Sequence, residues 1–242
     1  MKLIIIWLLL ATILYVTSLI AVNHYDWSIF IMILAYLILI LYSNDFDLKR
    51  IVTNLLTIDG YERSILLLPL IVISLYGLIY SAQILLSIFL YGDTFSINLK
   101  MYIGNFKVGL LSVFIFPFIE ELLFRKSILK GLMNLYSFRK SLILSSLVFA
   151  LTHYFTDTSL LAVFLAGLIF GFVYNFYNSF ILVFLTHALY NALVFFITPK
   201  VNENLYALDL TLVYKTIVPA MVLCFLILTI SLYFTFTSKR EK

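Results

Sequence analysis

The sequence predicts an all-α polytopic membrane protein, a bundle of about eight transmembrane helices. Two observations carry that reading. The first is composition: 64% of the residues are hydrophobic and only 12% are charged, and mean hydropathy is +1.10. A soluble domain carries roughly 45–50% apolar and about 25% charged residues, so this chain has too little charge to cover a water-facing surface. The second is pattern. The apolar runs are continuous and long, whereas the strands of a membrane barrel alternate polar and apolar residues. A chain of 242 residues suits one transmembrane domain, 1–242, rather than several.

Helices that cross a bilayer need about 20 apolar residues. Eight stretches qualify, at about 3–22, 27–43, 64–91, 105–135, 139–156, 159–177, 179–198 and 213–236. The first follows Lys2 and has the charge order of a signal peptide. The run Leu3–Val22 is longer than a signal core and lacks an A-x-A cleavage site, so it reads as a retained span. The second is short, and the fourth is interrupted by charge. Asn44–Arg63 reads as a polar inner loop and Pro199–Lys215 as a polar outer loop. Residues 1–100 hold N-terminal helices with no specific signature, and 213–242 form a last helix with a basic tail.

With eight spans both termini share a side. Placing them inside puts most Lys and Arg on the inner face and leaves Lys100, Lys107, Lys200 and Lys215 outside. The positive-inside rule therefore favours cytoplasmic termini. The net charge of +4 is explained by that asymmetry. No basic stripe with exposed aromatics suggests nucleic acid, which is excluded as a partner. The lone Cys224 has no second cysteine to pair with and reads as a packed or lipid-facing small residue. No internal repeat is visible, which weakens a reading as a secondary transporter or proton-linked carrier.

Ionisable groups inside spans are costly and are functional hypotheses by default. Here they cluster in three places. Glu120 and Glu121 follow Pro117 within an apolar run, and Arg125 lies one turn after Glu121. That i,i+4 spacing lets Glu121 and Arg125 pair while Glu120 points elsewhere. Phe149 and His153 form a second pair at the same spacing, and His187 and Asn191 a third. Two strong hydrogen-bonding groups one turn apart share a helix face and seldom both face lipid. Their plainer use is interhelical polar glue. From a boundary near Tyr136–Lys140, Glu120 lies roughly 24 Å back along one helix and His153 roughly 21 Å forward along the next, at about 1.5 Å per residue. The two groups are thus expected at similar depth, with Arg125 buried.

These motifs, Glu-Glu-x-x-x-Arg at 120–125, Phe-x-x-x-His at 149–153 and His-x-x-x-Asn at 187–191, resemble those of the CAAX-processing and bacteriocin-processing (CPBP, or Abi) intramembrane proteases. Gly167, Gly171 and Tyr174 are similar to that family's Gly-x-x-x-Gly-x-x-Tyr pattern. The two glycines also suit a helix-packing face, expected to bring the helix carrying His187 close. The resemblance covers roughly Lys107–Pro199 and implies an eight-helix core whose catalytic part is 105–199.

What the resemblance implies is an intramembrane endopeptidase. Glu120 would activate water with His153 assisting, and His187 and Asn191 would stabilise the oxyanion. Glu121, Arg125 and Phe149 would support them. Peptide hydrolysis does need a base for water and donors for the developing oxyanion, and these residue types supply both. No cofactor is expected. The alternative is zinc or another divalent metal held by Glu120, His153 and His187, a ligand set with one open position. No His-Glu-x-x-His occurs, so a zincin-like site is excluded. The expected partners are the lipid bilayer and a hydrophobic peptide or membrane-anchored protein substrate, in a bacterial plasma membrane. The competing reading is a non-enzymatic immunity or scaffold protein whose polar residues only hold the bundle together.

Overall fold

A computed structural model describes residues 25–43, 65–92, 109–154, 159–206 and 208–238. The expected first span at 3–22, the inner loop Asn44–Arg63 and the basic tail after Ser238 lie outside the described residues. Within them the chain forms seven helices and no strand. Four stretches are long and apolar enough to cross a membrane: Leu68–Leu90, Leu160–Tyr177, Phe180–Leu205 and Leu210–Thr235. The described residues therefore bear out an all-helical chain with four membrane-length helices, where the sequence suggests about eight.

Helix α1 is Tyr25–Ser43 and α2 is Leu68–Tyr91. Helix α3 spans 111–133 and alternates in winding: Leu111–Ile115 is π-helical, Phe116–Glu121 is α, Leu122–Leu129 is π and Lys130–Met133 is α. Helix α4 is Phe138–Leu151 and α5 is Leu160–Tyr177. Helix α6 covers 180–206 in three parts: Phe180–Ala192, a π segment Leu193–Ile197, and Thr198–Tyr206. Helix α7 is Leu210–Ser238.

Two expectations need correction. Pro199–Lys215 is not a loop: Thr198–Tyr206 is helical and α7 begins at Leu210. A proline has no N–H and normally breaks a helix interior. Here it follows a π segment, where the hydrogen-bond ladder is already reset. The expected span 139–156 is also shorter, a helix of 14 residues. It ends because the next amides turn back by three residues, His153 N to Ala150 O at 3.0 Å and Tyr154 N to Leu151 O at 3.1 Å.

The chain divides into two compact units. The first comprises residues 1–59 and 115–185. Its core gathers Tyr36, Leu39 and Ile40 of α1, Leu122, Leu123, Phe124 and Ile128 of α3, Val148 and Phe149 of α4, and Phe180. Helices α4 and α5 lie close because small residues line both. Ser141, Ser145 and Ser146 of α4 have no exposed surface. A side chain on Gly167 would meet the Ser146 backbone and the Phe149 ring, and one on Gly171 would meet Leu142. Gly-x-x-x-Gly thus serves the approach of α4, the helix that ends beside His153. Within this unit α4, rather than the helix of His187, is the neighbour the two glycines admit. The turn from α5 to α6 uses Asn178 at φ 45° as a left-handed cap, followed by Ser179, whose hydroxyl accepts from Leu182 N at 3.4 Å.

The second unit comprises 60–114 and 186–242. Its centre packs Tyr76, Tyr80, Ile84 and Ile88 of α2 with Leu205, Val213 and Ile217. The Tyr76 hydroxyl hydrogen-bonds the Thr198 hydroxyl at 2.9 Å, and the Tyr80 hydroxyl donates to the Asn202 side chain. Each pair is spaced by one turn on its own helix, so the two bonds form a ladder. Cys224 is partly buried on α7, its sulfur against the bare Cα of Gly77.

Candidate active site

The site in the first unit begins with a buried ion pair. Arg125 and Glu121 have no exposed surface. Arg125 Nε donates to Glu121 Oε2 at 2.8 Å and Nη2 to Oε1 at 3.5 Å. This is the pair that their one-turn spacing predicts. The guanidinium also lies over the Phe149 ring, 5.0 Å from its centroid. Arg125 Nη1 has no hydrogen-bond partner among the described residues, and the aromatic face is the neighbour that offsets its burial.

Glu120 points away from that pair, toward α4. Its Oε1 lies 3.8 Å from His153 Nε2, with side-chain exposures of 12% for Glu120 and 20% for His153. The pair is therefore shielded but not sealed. The structure brings together two residues 33 positions apart, as the depth estimate from the sequence requires. His153 itself sits in the turn after α4 rather than inside a helix.

Phe149 explains how that turn holds the imidazole. At a helix end the last carbonyls lose their backbone partners. The Phe149 carbonyl is instead reached by two side chains: Thr152 Oγ1 donates to it at 2.7 Å, and His153 Nδ1 lies 3.0 Å away. A carbonyl only accepts, so Nδ1 carries a proton and donates. In neutral imidazole the lone pair is then on Nε2, the nitrogen that faces Glu120. The Phe149 ring packs edge-on against the His153 ring, with centroids 4.9 Å apart. One residue thus supports Arg125 with its ring and His153 with both its ring and its carbonyl.

Sequence reasoning missed Tyr36 and Thr152. Tyr36 lies on α1, is 4% exposed and packs in the same core as Phe149. Nothing in α1 marks this tyrosine among the 17 of the chain, because only the tertiary contact singles it out.

His187 and Asn191 belong to the second unit. His187 is buried. Asn191 Nδ2 donates to the Ser112 carbonyl at 2.8 Å. Ser112 lies in the π segment Leu111–Ile115, and π segments recur at functional sites. Within either unit, no three His, Cys, Asp or Glu side chains among the described residues are grouped so as to hold a metal ion.

A family model described as type II CAAX prenyl endopeptidase Rce1-like matches residues 103–193. This segment is Rce1-like. It contains Glu120, Glu121, Arg125, Phe149, His153, His187 and Asn191, and the match supports membership of the CAAX-protease family. No curated protein and no solved structure gives a match. With its four membrane-length helices, the chain is an integral membrane protein. Tyr36 lies outside the Rce1-like segment.

Proposed function

We propose that this protein is an intramembrane endopeptidase that hydrolyses a peptide bond of a hydrophobic or membrane-anchored substrate. The observation that carries the reading is the shielded Glu120–His153 pair within the Rce1-like segment. Two polar atoms 3.8 Å apart are too distant for a direct hydrogen bond, but one water can bond both. Such a water gives its proton to the Glu120 carboxylate as its oxygen attacks the peptide carbonyl. Glu120 then returns that proton to the leaving amine as the C–N bond breaks. His153, held with Nε2 toward Glu120, orients the water.

His187 and Asn191 take the oxyanion in this proposal. Imidazole N–H and amide N–H groups both donate to a developing negative charge. The Asn191 amide has two protons, and the bond to Ser112 employs one of them while fixing the amide plane. Glu121, Arg125 and Phe149 position the water-activating pair. The mechanism is proposed without a metal; a divalent ion on Glu120, His153 and His187 is the competing form. Both termini are proposed to be cytoplasmic, in a bacterial plasma membrane. Substrates range from a peptide leader to a lipid-modified protein of the kind in the family description.

One observation favours the second reading, a non-enzymatic immunity or scaffold protein: the Asn191 bond to a backbone carbonyl is also what interhelical glue looks like. The test is cleavage of a fluorogenic, membrane-anchored peptide library by wild type and Glu120→Gln, with and without a zinc chelator. Cleavage that survives chelator and falls about 10²–10⁴-fold in the variant, the usual share of general acid–base catalysis, supports the proposal. Loss with chelator moves Glu120, His153 and His187 to metal ligands. A variant that unfolds instead supports the scaffold.

A further inference from the structure

We infer that Ser145 of α4 is a positioning residue for the Glu120–His153 pair, acting through its hydrogen bond to the Phe124 carbonyl of α3. The consequence for catalysis rests on the proposed protease reading; the geometry does not.

Glu120 belongs to α3 and His153 to the turn that ends α4, so their separation depends on how far α3 is slid along α4. Three contacts at one-turn steps define that register. Glu120 Oε1 lies 3.8 Å from His153 Nε2. Four residues on from Glu120 and four back from His153, the Phe124 and Phe149 rings pack edge to face, with centroids 5.1 Å apart. Four residues further back along α4, the Ser145 hydroxyl donates to the Phe124 carbonyl at 3.3 Å. Phe124 is thus held by its ring at one turn of α4 and by its backbone at the next. Apolar contact is non-directional, so the rings alone would let the helices slip. A hydrogen bond weakens steeply away from its preferred distance and angle, and so fixes the slide.

The neighbouring serines set this hydroxyl apart. Ser141, Ser145 and Ser146 all have no exposed surface. Ser141 Oγ donates locally, to the Ser137 carbonyl at 3.0 Å. Ser146 Oγ has no partner among the described residues. Of the three, Ser145 is the one whose hydroxyl reaches another helix. Close approach of helices needs only small side chains, and an alanine would meet that need. The acceptor lies where the backbone winding changes. Phe124 is in the π segment Leu122–Leu129, which begins directly after Glu121. In the same segment Ser127 Oγ donates to the Leu122 carbonyl at 3.2 Å. Hydroxyls from α3 itself and from α4 therefore brace the winding that starts beside the two glutamates. Arg125 follows Phe124 directly, so the bond from Ser145 also steadies the residue that pairs with Glu121.

Two substitutions separate positioning from packing. Ser145→Ala keeps a small side chain and removes the donor. It is expected to lower kcat by about 10-fold to 10²-fold, the scale of a misplacement of an ångström or less. KM should stay nearly unchanged. Thermal stability in detergent should also change little, because single interhelical hydrogen bonds in membranes contribute little. Ser141→Ala removes an equally buried hydroxyl whose bond is local to α4, and is expected to leave kcat as it is. A second readout needs no substrate. Protein labelled with ¹⁵N-histidine contains three histidines, and the His153 ring signals report its surroundings. Ser145→Ala should shift those signals, and Ser141→Ala should leave them in place.

Equal effects of the two substitutions on kcat, or His153 signals that Ser145→Ala leaves unmoved, overturn the inference. Should Ser145→Ala not fold, Ser145→Cys takes its place, since a thiol is a weaker donor. It is expected to change kcat and the ring signals in the same direction, and wild-type values for both overturn the inference. If neither wild type nor variant cleaves any peptide, the protease reading fails, and the ring signals still decide the positioning.

Discussion

A guanidinium with no exposed surface is the most demanding residue in this protein. Arg125 is tolerated because Glu121 accepts from it and the Phe149 ring covers it. Removing one member of a buried pair strands the other charge, at a cost of about 3–5 kcal/mol. Glu121→Gln should therefore lower unfolding stability by that order, measured by denaturant titration in detergent. Glu121→Gln with Arg125→Met should recover much of the loss, since neither charge is left alone. Phe149→Leu probes a different part of the site. It keeps the carbonyl that holds His153 Nδ1 and removes the ring's contacts with Phe124, Arg125 and His153. A loss near 0.5–1.5 kcal/mol per aromatic contact is expected, with cleavage reduced far less than in Glu120→Gln. The side-chain pairs of this region were legible in the sequence because i,i+4 spacing reports a shared helix face. The place of Tyr36 in the core around Phe149 was not legible, because nothing local to α1 distinguishes one apolar-face tyrosine from another.

Among the elements, the seam between α4 and α5 sets the position of the Phe149 ring. Gly167→Ala would press a methyl against Ser146 Cβ and Phe149 Cδ1, each at 3.2 Å. Ser146 Cβ moves only with its backbone, so overpacking of about 1–3 kcal/mol is expected, with a loss of cleavage because Phe149 carries His153. Gly171→Ala meets the tip of the Leu142 side chain, which can change rotamer. The milder effect of Gly171→Ala, compared by unfolding and activity together, checks this ranking. In the second unit, Tyr76→Phe and Tyr80→Phe each remove one rung of the ladder to α6. Interhelical hydrogen bonds in membranes contribute about 0.6 kcal/mol and at most about 1.7 kcal/mol. Each change should thus be small in an unfolding titration. The three π segments are where helix-periodic reasoning runs short. One begins one residue after Glu121, and another begins two residues after Asn191. Apolar runs look the same whether wound as α or π, so the sequence carried no sign of them.

For the molecule as a whole, the distribution of Lys and Arg leads to a topological expectation. A fluorescent reporter fused after Lys242 should fold and fluoresce in the cytoplasm, and a periplasm-dependent phosphatase at the same point should be inactive. The reverse result would invert the orientation proposed from the eight-span count. The exposed Leu, Ile and Phe side chains of α7 demand lipid or detergent, so these experiments belong in membranes or micelles.

The sequence by itself determined the solvent, the helical class and the identity of the ionisable residues. Each of these follows from local arithmetic: charge content, run length, and spacing of one turn. It also determined that Glu120 and His153 reach similar depth, because helical rise converts residue number into distance. Only the tertiary structure decided which nitrogen of His153 faces Glu120, and that Thr152 stands behind it. It likewise decided that the Gly-x-x-x-Gly face receives α4 and that Pro199 continues a helix. Those facts depend on contacts between elements far apart in the chain, or on winding that apolar residues do not encode. Hydrophobic pattern places a helix in the membrane; hydrogen bonds between helices determine what its polar groups do.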